Sequence, residues 1–525
     1  MPWRKSPGRG NKMKFRGWLI LGSVLVWSCG GVQPPVQPKP PVSPEIQPLP
    51  EPPSKEIRAL WLTRFEYCNY SPTHDQDSIR HYIDMIIDSA AQANFNVVFF
   101  QVRGSGDAYY RSELEPWGPL LTGTLGQDPG WDPLDYALER CHQNGLELHA
   151  WFNTFPAWRG AEPPPVTDPP SPYLTHPEWL VCDSLGNPMP LSDHYVSFSP
   201  GIPQVHDYLI QVATDLVRRY DVDGIHFDYV RFPEIAPESG YSHDSISVAL
   251  WRSETGNPYR LNWADWEREQ LNHFIAKMYN ALMEVDSSLI VSAATIGSYW
   301  RERWNAYYKV YQDPRRWTEW EKMDWIVPMI YWPRSHPTQP FLVRSREYRD
   351  EYTLDRYLVP GIGSYRYNTE KEHYTWAETE GEIDDLRREH FPGMSFFNAG
   401  SILGHFQSLE HTRFSHPAAL PPLPWKNLRP PLPPDSVWIG KDFSGQESLF
   451  WSAPADTQSV YRYLVYISRD TILDATLGRN LVRILPPDQT YFPLPAPYRE
   501  WRRIGVSTVN KAWVESGIIP LRRED

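Results

Sequence analysis

The sequence predicts an α/β protein: a (β/α)8 barrel over residues 55–420, followed by a small all-β sandwich over residues 435–525. Three observations predict it. Short apolar runs alternate with amphipathic segments from Ile57 to about Leu420, as strands do when crossover helices separate them. Polar residues recur on one face near the carboxyl ends of these runs. After a Pro-rich stretch the pattern changes to short strands and turns with no helical period.

Ile57–Thr63 reads as the first strand. A helix over Asp77–Asn94 follows, with Ile79, Tyr82, Ile83, Ile86, Ile87 and Ala90 on one face and Asp77 as its cap. Asn96–Val102 is the second strand. Asp132-Pro133 opens the next helix with a cap residue and a first-turn proline, and Gly145 stops it. Leu146–Phe152 is the third strand, and a long Pro-rich insertion separates it from a helix over Pro203–Tyr220. The fourth strand, Gly224-Ile225-His226-Phe227-Asp228, carries His226 and Asp228 on one face and Ile225 and Phe227 on the other. Helix Trp263–Val285 then leads to strands at Leu289–Thr295, Asp324–Tyr331, Tyr357–Ile362 and Met394–Ala399, with weaker helical periods between the last three. A doubly wound sheet is the alternative, but no Gly-rich phosphate turn follows the first strand. Residues 421–434 read as a Pro-rich linker. Strands at Ser436–Ile439, Ser448–Ser452, Tyr463–Ser468, Leu481–Leu485 and Arg503–Thr508 complete the chain. The stretches Leu449–Pro454, Tyr463–Tyr466 and Gly505–Lys511 resemble strands of a fibronectin type III domain. Such a domain is expected to act as a spacer or docking module, with carbohydrate binding as the alternative.

The amino terminus reads as a targeting segment. Arg4, Lys5, Arg9, Lys12, Lys14 and Arg16 precede an apolar run, Trp18 to Trp27, that is too short to span a bilayer. Val26-Trp27-Ser28-Cys29 resembles a bacterial lipoprotein signal. It implies removal of residues 1–28 and lipidation of Cys29; an ordinary secretory signal is the alternative. Residues 29–54 are a Pro-rich tether of polyproline character. Together they imply an extracytoplasmic protein anchored to the bacterial envelope. Cys68, Cys141 and Cys182 are an odd number, so no complete disulfide framework exists; a Cys68–Cys182 bridge remains open.

The whole chain has a formal charge of −13, and residues 1–28 carry only basic charge, so the remainder is more acidic still. That argues against nucleic acid and anionic lipid as ligands. The 24 Trp and 30 Tyr suit stacking on sugar rings, and equally an aromatic core.

Strand parity assembles the candidate site. Gln101 and Arg103 share a face of the second strand, His149, Trp151 and Asn153 a face of the third, and His226 and Asp228 a face of the fourth. Tyr331 and Trp332 end the sixth strand and Tyr365 follows the seventh, while Arg231 lies just beyond Asp228. In barrels of this class chemistry occurs at the carboxyl ends of the strands. Glycoside cleavage needs two carboxyl groups, one to protonate the leaving oxygen and one to attack or to activate water. Asp228 fits the second role, although a buried Asp there could instead cap the next segment or pair with Arg231. For the proton donor Asp107 ranks first and Glu302 second, with Glu113 also near a strand end. Arg103 would hold Asp228 ionised or bind substrate. His149, His226 and Asp228 could hold a divalent ion, but no local metal motif accompanies them, so neither metal nor cofactor is expected. No nucleophile elbow, P-loop or dinucleotide fingerprint is present.

Several motifs then occur in fixed order: Arg58-Ala59-Leu60-Trp61, Gln101-Val102-Arg103 with Gly106–Tyr110, Pro116-Trp117 with Leu121–Gly123, Trp131–Leu134, Leu148–Asn153 and the Asp228 strand. This set resembles the glycosyl-hydrolase-like family ten barrels. The resemblance implies a (β/α)8 lipoprotein or secreted protein related to divisome-associated hydrolases, which cleave peptidoglycan glycan strands lacking stem peptides. Many members have a second Asp where this chain has Tyr229. The expected function is therefore an envelope-anchored glycoside hydrolase of a bacterial polysaccharide. The alternatives are a non-catalytic glycan-binding lipoprotein using the same cleft, and a hydrolase of an environmental polysaccharide.

Overall fold

The structure, a computed structural model, describes residues 49–233, 240–301, 303–366, 374–494 and 501–521. Cys29 and the tether up to residue 48 lie outside the described residues, as does Glu302.

Six parallel strands, β1 (Ile57–Leu62), β2 (Val97–Arg103), β3 (Glu147–Asn153), β4 (Gly224–Asp228), β5 (Ile290–Ile296) and β6 (Trp325–Met329), pair in chain order. The seventh, β7, is split into Tyr357–Leu358, which pairs with β6, and Gly361–Ile362, which pairs with β8 (Gly393–Phe396). β8 pairs back to β1, so the two edges of the sheet are halves of one segment and the sheet closes on itself. Pro360 falls in the gap of β7, where a residue without an N–H interrupts the ladder. Each strand is followed by a helix: α1 (Gln76–Gln92), α2 (Pro133–Gln143), α3 (Pro203–Arg219), α4 (Trp263–Val285), α5 (Pro314–Glu319), α6 (Phe341–Glu347), α7 (Trp376–Arg388) and α8 (Phe406–His411). The predicted (β/α)8 barrel is the fold, with strand boundaries shifted by at most three residues.

The cap of α1 differs from expectation. Asp75, not Asp77, accepts the Ser78 N–H at 2.9 Å, and Asp77 sits inside the first turn. A polar residue two positions earlier can serve equally, because only the backbone angles at the cap decide which one does. No Cys68–Cys182 bridge forms: Cys68 is sealed in the core while Cys182 is half-buried, and all three described cysteines are free. In the Pro-rich insertion, Pro156–Gly160 and Ser192–Ser197 pair as an antiparallel ribbon at the strand-end face.

The carboxyl-terminal strands form two antiparallel sheets. One has three strands (Val437–Lys441, Glu447–Trp451, Tyr491–Pro493) and the other four (Leu481–Leu485, Arg462–Ser468, Arg503–Val509, Ile519–Pro520). Residues 421–434 are not a free linker. The Leu423 N–H bonds to Ala512 O at 2.9 Å, and Trp425 and Lys426 both reach Asp324 at the amino-terminal end of β6. The sandwich itself closes that end of the barrel: Trp513 Nε1 donates to Glu147 at 2.6 Å and the Tyr461 hydroxyl to Asp223 at 2.7 Å. One apolar cluster runs from Ile57, Trp325 and Val359 inside the barrel to Leu464, Val509 and Trp513 of the sandwich.

Glu267 on α4 is fully buried, with the Ser242 hydroxyl as its polar neighbour and no cation paired with it among the described residues. Burial, and then the charge of Asp244, hold its pKa well above the usual carboxylate range. The native state therefore binds this proton more tightly than the unfolded chain, so stability declines as pH rises from the ordinary carboxylate value towards the folded one. Glu267→Gln is expected to stabilise the protein by about 1–3 kcal/mol at pH 8 and to change little at pH 4. Thermal melts at the two pH values check this; an equal shift at both would sink it.

Candidate active site

Asp228 ends β4 on the inward face and is 6 % exposed. Its Oδ1 accepts the Tyr229 N–H at 2.6 Å, and its carbonyl accepts Thr154 N–H at 2.8 Å. Tyr229 follows at φ +54°, a left-handed backbone that Asn and Asp tolerate better than an aromatic residue. Such strain is commonly stored at functional sites. It also bears on the departure noted above, since the residue that replaces a second Asp occupies the strained position.

Aromatic groups surround this carboxylate. On the β6–β8 side, the Tyr331 ring stacks on Phe397 at 5.5 Å and meets Tyr365 edge-on at 5.8 Å. The Tyr331 hydroxyl is buried without a partner among the described residues, and its pKa is pushed well up, by burial first and then by the charge of Asp228. Tyr365 is 41 % exposed and Trp332 partly so, as sugar-stacking rings must be. Gly363 permits this packing, because a Cβ there would lie 2.8 Å from Tyr331 Cβ. On the opposite side Tyr195, from the ribbon, meets the Tyr229 ring at 5.1 Å and accepts from Arg64 at 3.1 Å. The Arg231 guanidinium lies 4.3 Å over Tyr229. Tyr195, Tyr229 and Arg231 line a hollow of about 90 Å³. Trp151 packs edge-on against Trp61 at 4.8 Å, and together they form the floor.

Several predicted site residues lie elsewhere. A bulge in β2 pairs Gln101 with Trp151 but Arg103 with Phe152, so the two do not share a face. Arg103 instead forms a buried pair with Glu115 at 2.6 Å, bonds to Thr154 O at 2.9 Å and lies over Phe152. It therefore neither neutralises Asp228 nor binds substrate. His226 is on the predicted face but one layer too deep. It is stacked on Phe99 at 4.1 Å, covered by Trp61 at 4.4 Å and bonded to Ser292 at 2.7 Å, and burial drives its pKa well down. His149 is deeper still, paired with Glu147 at 3.0 Å and stacked on Trp325. The two imidazoles are thus core groups, and no cluster of three or more metal-ligating side chains occurs among the described residues. Asn153 is buried and donates to Gly104 O at 3.1 Å. Asp107 is also buried; its Oδ1 accepts the Gly104 and Ser105 N–H groups at 3.0 and 2.6 Å, clasping the loop rather than offering a proton to the cleft. Glu113 is exposed to solvent.

The fold brings in further residues. Phe397 falls on the inward parity of the predicted strand Met394–Ala399 and was legible there, whereas Arg64 opens a short helical turn, Arg64–Asn69, to which strand parity does not apply. Glu382 has no such signal. It lies on α7, lining a small hollow with Tyr331, Trp332 and Gly363, and burial and then Glu378 hold its pKa well above the usual range. A carboxyl whose pKa is raised by burial at the edge of an aromatic cleft is a candidate acid catalyst.

A carboxylate at the end of β4, ringed by tyrosines and tryptophans, therefore sits in a cleft suited to a sugar chain. The family model for glycosyl hydrolase-like 10 matches residues 56–376, more than half of the chain. This protein belongs to that family. It is 28% identical to glycosyl hydrolase DigH of Escherichia coli (strain K12) over 416 residues, which are 73% of this chain and 90% of that protein. It is 24% identical to glycosyl hydrolase YngK of Bacillus subtilis (strain 168) over 447 residues, covering 78% and 82% of the two. Among solved structures, the PgaB (BpsB) glycoside hydrolase domain from Bordetella bronchiseptica aligns with a TM-score of 0.44 at 13% identity, covering 70% of this chain and 98% of that one. Family membership supports a hydrolase acting on a glycan.

Proposed function

We propose that the protein is a glycoside hydrolase that cuts a bacterial polysaccharide, with Asp228 as nucleophile or base. The observation that carries this reading is the placement of Asp228: a carboxylate at the carboxyl end of a barrel strand, between Tyr331 and the strained Tyr229. The relatives bear the name glycosyl hydrolase, in keeping with this. The proposed substrate is peptidoglycan glycan lacking stem peptides, whose lower carboxylate content suits an acidic protein better than peptide-bearing strands do. We further propose that Cys29 carries the lipid that anchors the chain outside the cytoplasm, and that the carboxyl-terminal sandwich is fibronectin type III-like. Mass spectrometry of peptidoglycan sacculi, intact and amidase-stripped, after incubation with the protein tests the reading. New oligosaccharide ends from stripped glycan are expected; retention of the protein without products would favour a glycan-binding lipoprotein.

Glu382 is proposed as the proton donor. Burial raises its pKa and so favours the protonated form, and the rate is expected to fall as pH rises through the folded value. Glu382→Gln is expected to lower turnover about 10²-fold and to remove the alkaline limb of the pH–rate profile. An unchanged profile would return the role to Glu302, so Glu302→Gln is measured beside it.

A further inference from the structure

We propose that the outer face of the three-stranded sheet in the carboxyl-terminal sandwich binds an uncharged glycan through a row of three aromatic rings. Trp438, Phe450 and Tyr491 stand directly opposite one another on the three neighbouring strands. Their ring centroids are 6.1 and 5.9 Å apart, with planes 17° and 25° from parallel. Strand alternation explains the placement: Val437, Leu449 and Trp451 turn into the sandwich core, so their neighbours face outward.

Cross-strand aromatic pairs stabilise a sheet on their own. That role does not account for the exposure, however, since Trp438 and Tyr491 remain 44 % and 37 % exposed. Among the described residues, the Trp438 indole N–H and the Tyr491 hydroxyl also have no hydrogen-bond partner. Each therefore offers an apolar ring face beside a free polar group, and a pyranose needs both: C–H bonds to stack, and hydroxyls to satisfy.

Charge selects the class of ligand. The outward positions of this face are Trp438, Gly440, Ser448, Phe450, Tyr491 and Pro493, none of them ionisable; the carboxylate beside it, Asp442, lies at one end and accepts from the buried Ser448 hydroxyl at 3.2 Å. Such a face complements a neutral sugar chain and offers nothing to a phosphate headgroup, a nucleic acid or a basic peptide. The sandwich packs on the amino-terminal end of the barrel, whereas Asp228 lies at the carboxyl end, so the row is a second site and not part of the cleft. Holding one stretch of a polymer there raises the effective concentration of its other stretches at the cleft. Whether the same polymer also reaches the cleft rests on the proposed hydrolase reading; the site itself does not.

The test uses the full chain carrying Asp228→Asn, with and without Trp438→Ala and Tyr491→Ala. Retention is measured on two insoluble uncharged polymers, chitin and cellulose. In parallel, turnover of short soluble oligosaccharides is measured for the two ring substitutions in a chain that keeps Asp228. With both rings removed, retention is expected to fall at least about tenfold, while the protein stays folded with a melting temperature lowered only by the loss of two cross-strand pairs, and soluble turnover stays unchanged. Undiminished retention of the folded double variant, or no retention with the rings present, overturns the proposal. Absent turnover by the unaltered protein would overturn the hydrolase reading alone and leave ring-dependent retention standing.

Discussion

Asp228→Asn is expected to lower glycan turnover by about 10²–10⁴-fold, or to below detection, while leaving binding and folding intact. The amide has the shape of the carboxylate, and its oxygen can still accept the Tyr229 N–H that the acid accepts at 2.6 Å. What it lacks is the negative charge needed to attack an anomeric carbon or to take a proton from water. The substitution thus separates chemistry from structure. Tyr331 supplies a second readout. Its hydroxyl pKa is raised partly by the Asp228 charge, so removing that charge is expected to ease the titration of Tyr331 towards lower pH. Turnover of the variant within a few-fold of the unaltered protein would end Asp228's candidacy, whatever its position.

The largest effect on stability is expected at the other end of the barrel. Asp324 is fully buried just before β6 and accepts four bonds: from Val291 N–H and Lys426 Nζ at 2.8 Å each, from Trp425 Nε1 at 2.7 Å and from the Tyr279 hydroxyl at 3.1 Å. The Lys426 ammonium is almost wholly buried, and burial draws its pKa down against the support of Asp324. Asp324→Ala leaves that cation without a counter-charge and three donors without an acceptor. The expected cost is about 3–5 kcal/mol, the range for breaking one partner out of a buried ion pair. Chemical denaturation checks the value. Adding Lys426→Met to Asp324→Ala is expected to recover part of the loss, since the unpaired buried charge is then gone. A loss below 1 kcal/mol for Asp324→Ala would mean that residues 421–434 do not clamp the barrel as described.

The Asp324 cluster shows what reading along the chain misses. Residues 421–434 look like a linker because prolines dominate them, and composition reports the local backbone rather than what lies across from it. Their neighbours, Asp324 and Ala512, are about a hundred residues away in either direction. The same limit explains the histidines. Parity placed His149 and His226 on the inward face correctly, but a barrel interior has layers, and depth depends on strand stagger and on which rings fill the centre. Trp61, contributed by another strand, is what hides His226. Arg103 failed for a different reason: one bulged residue in β2 reverses every later side chain, and a bulge has no mark in the sequence when the residues around it remain apolar. Glu382 could not be found at all, because helix α7 approaches the strand ends only through the closure of the barrel.

The sequence by itself determined the eight strands and the four helices between the first five of them, the sandwich that follows, and the position of Asp228 at a strand end. These follow from periodicity, capping and turn chemistry, which act over a few residues and are written locally. The tertiary structure alone decided which inward residues reach the cleft, which charges pair in the core, and that the sandwich closes the barrel. Those outcomes depend on burial and on partners distant in the chain, and the desolvation that sets the pKa values of Tyr331, Glu267 and Glu382 exists only once the barrel has closed around them.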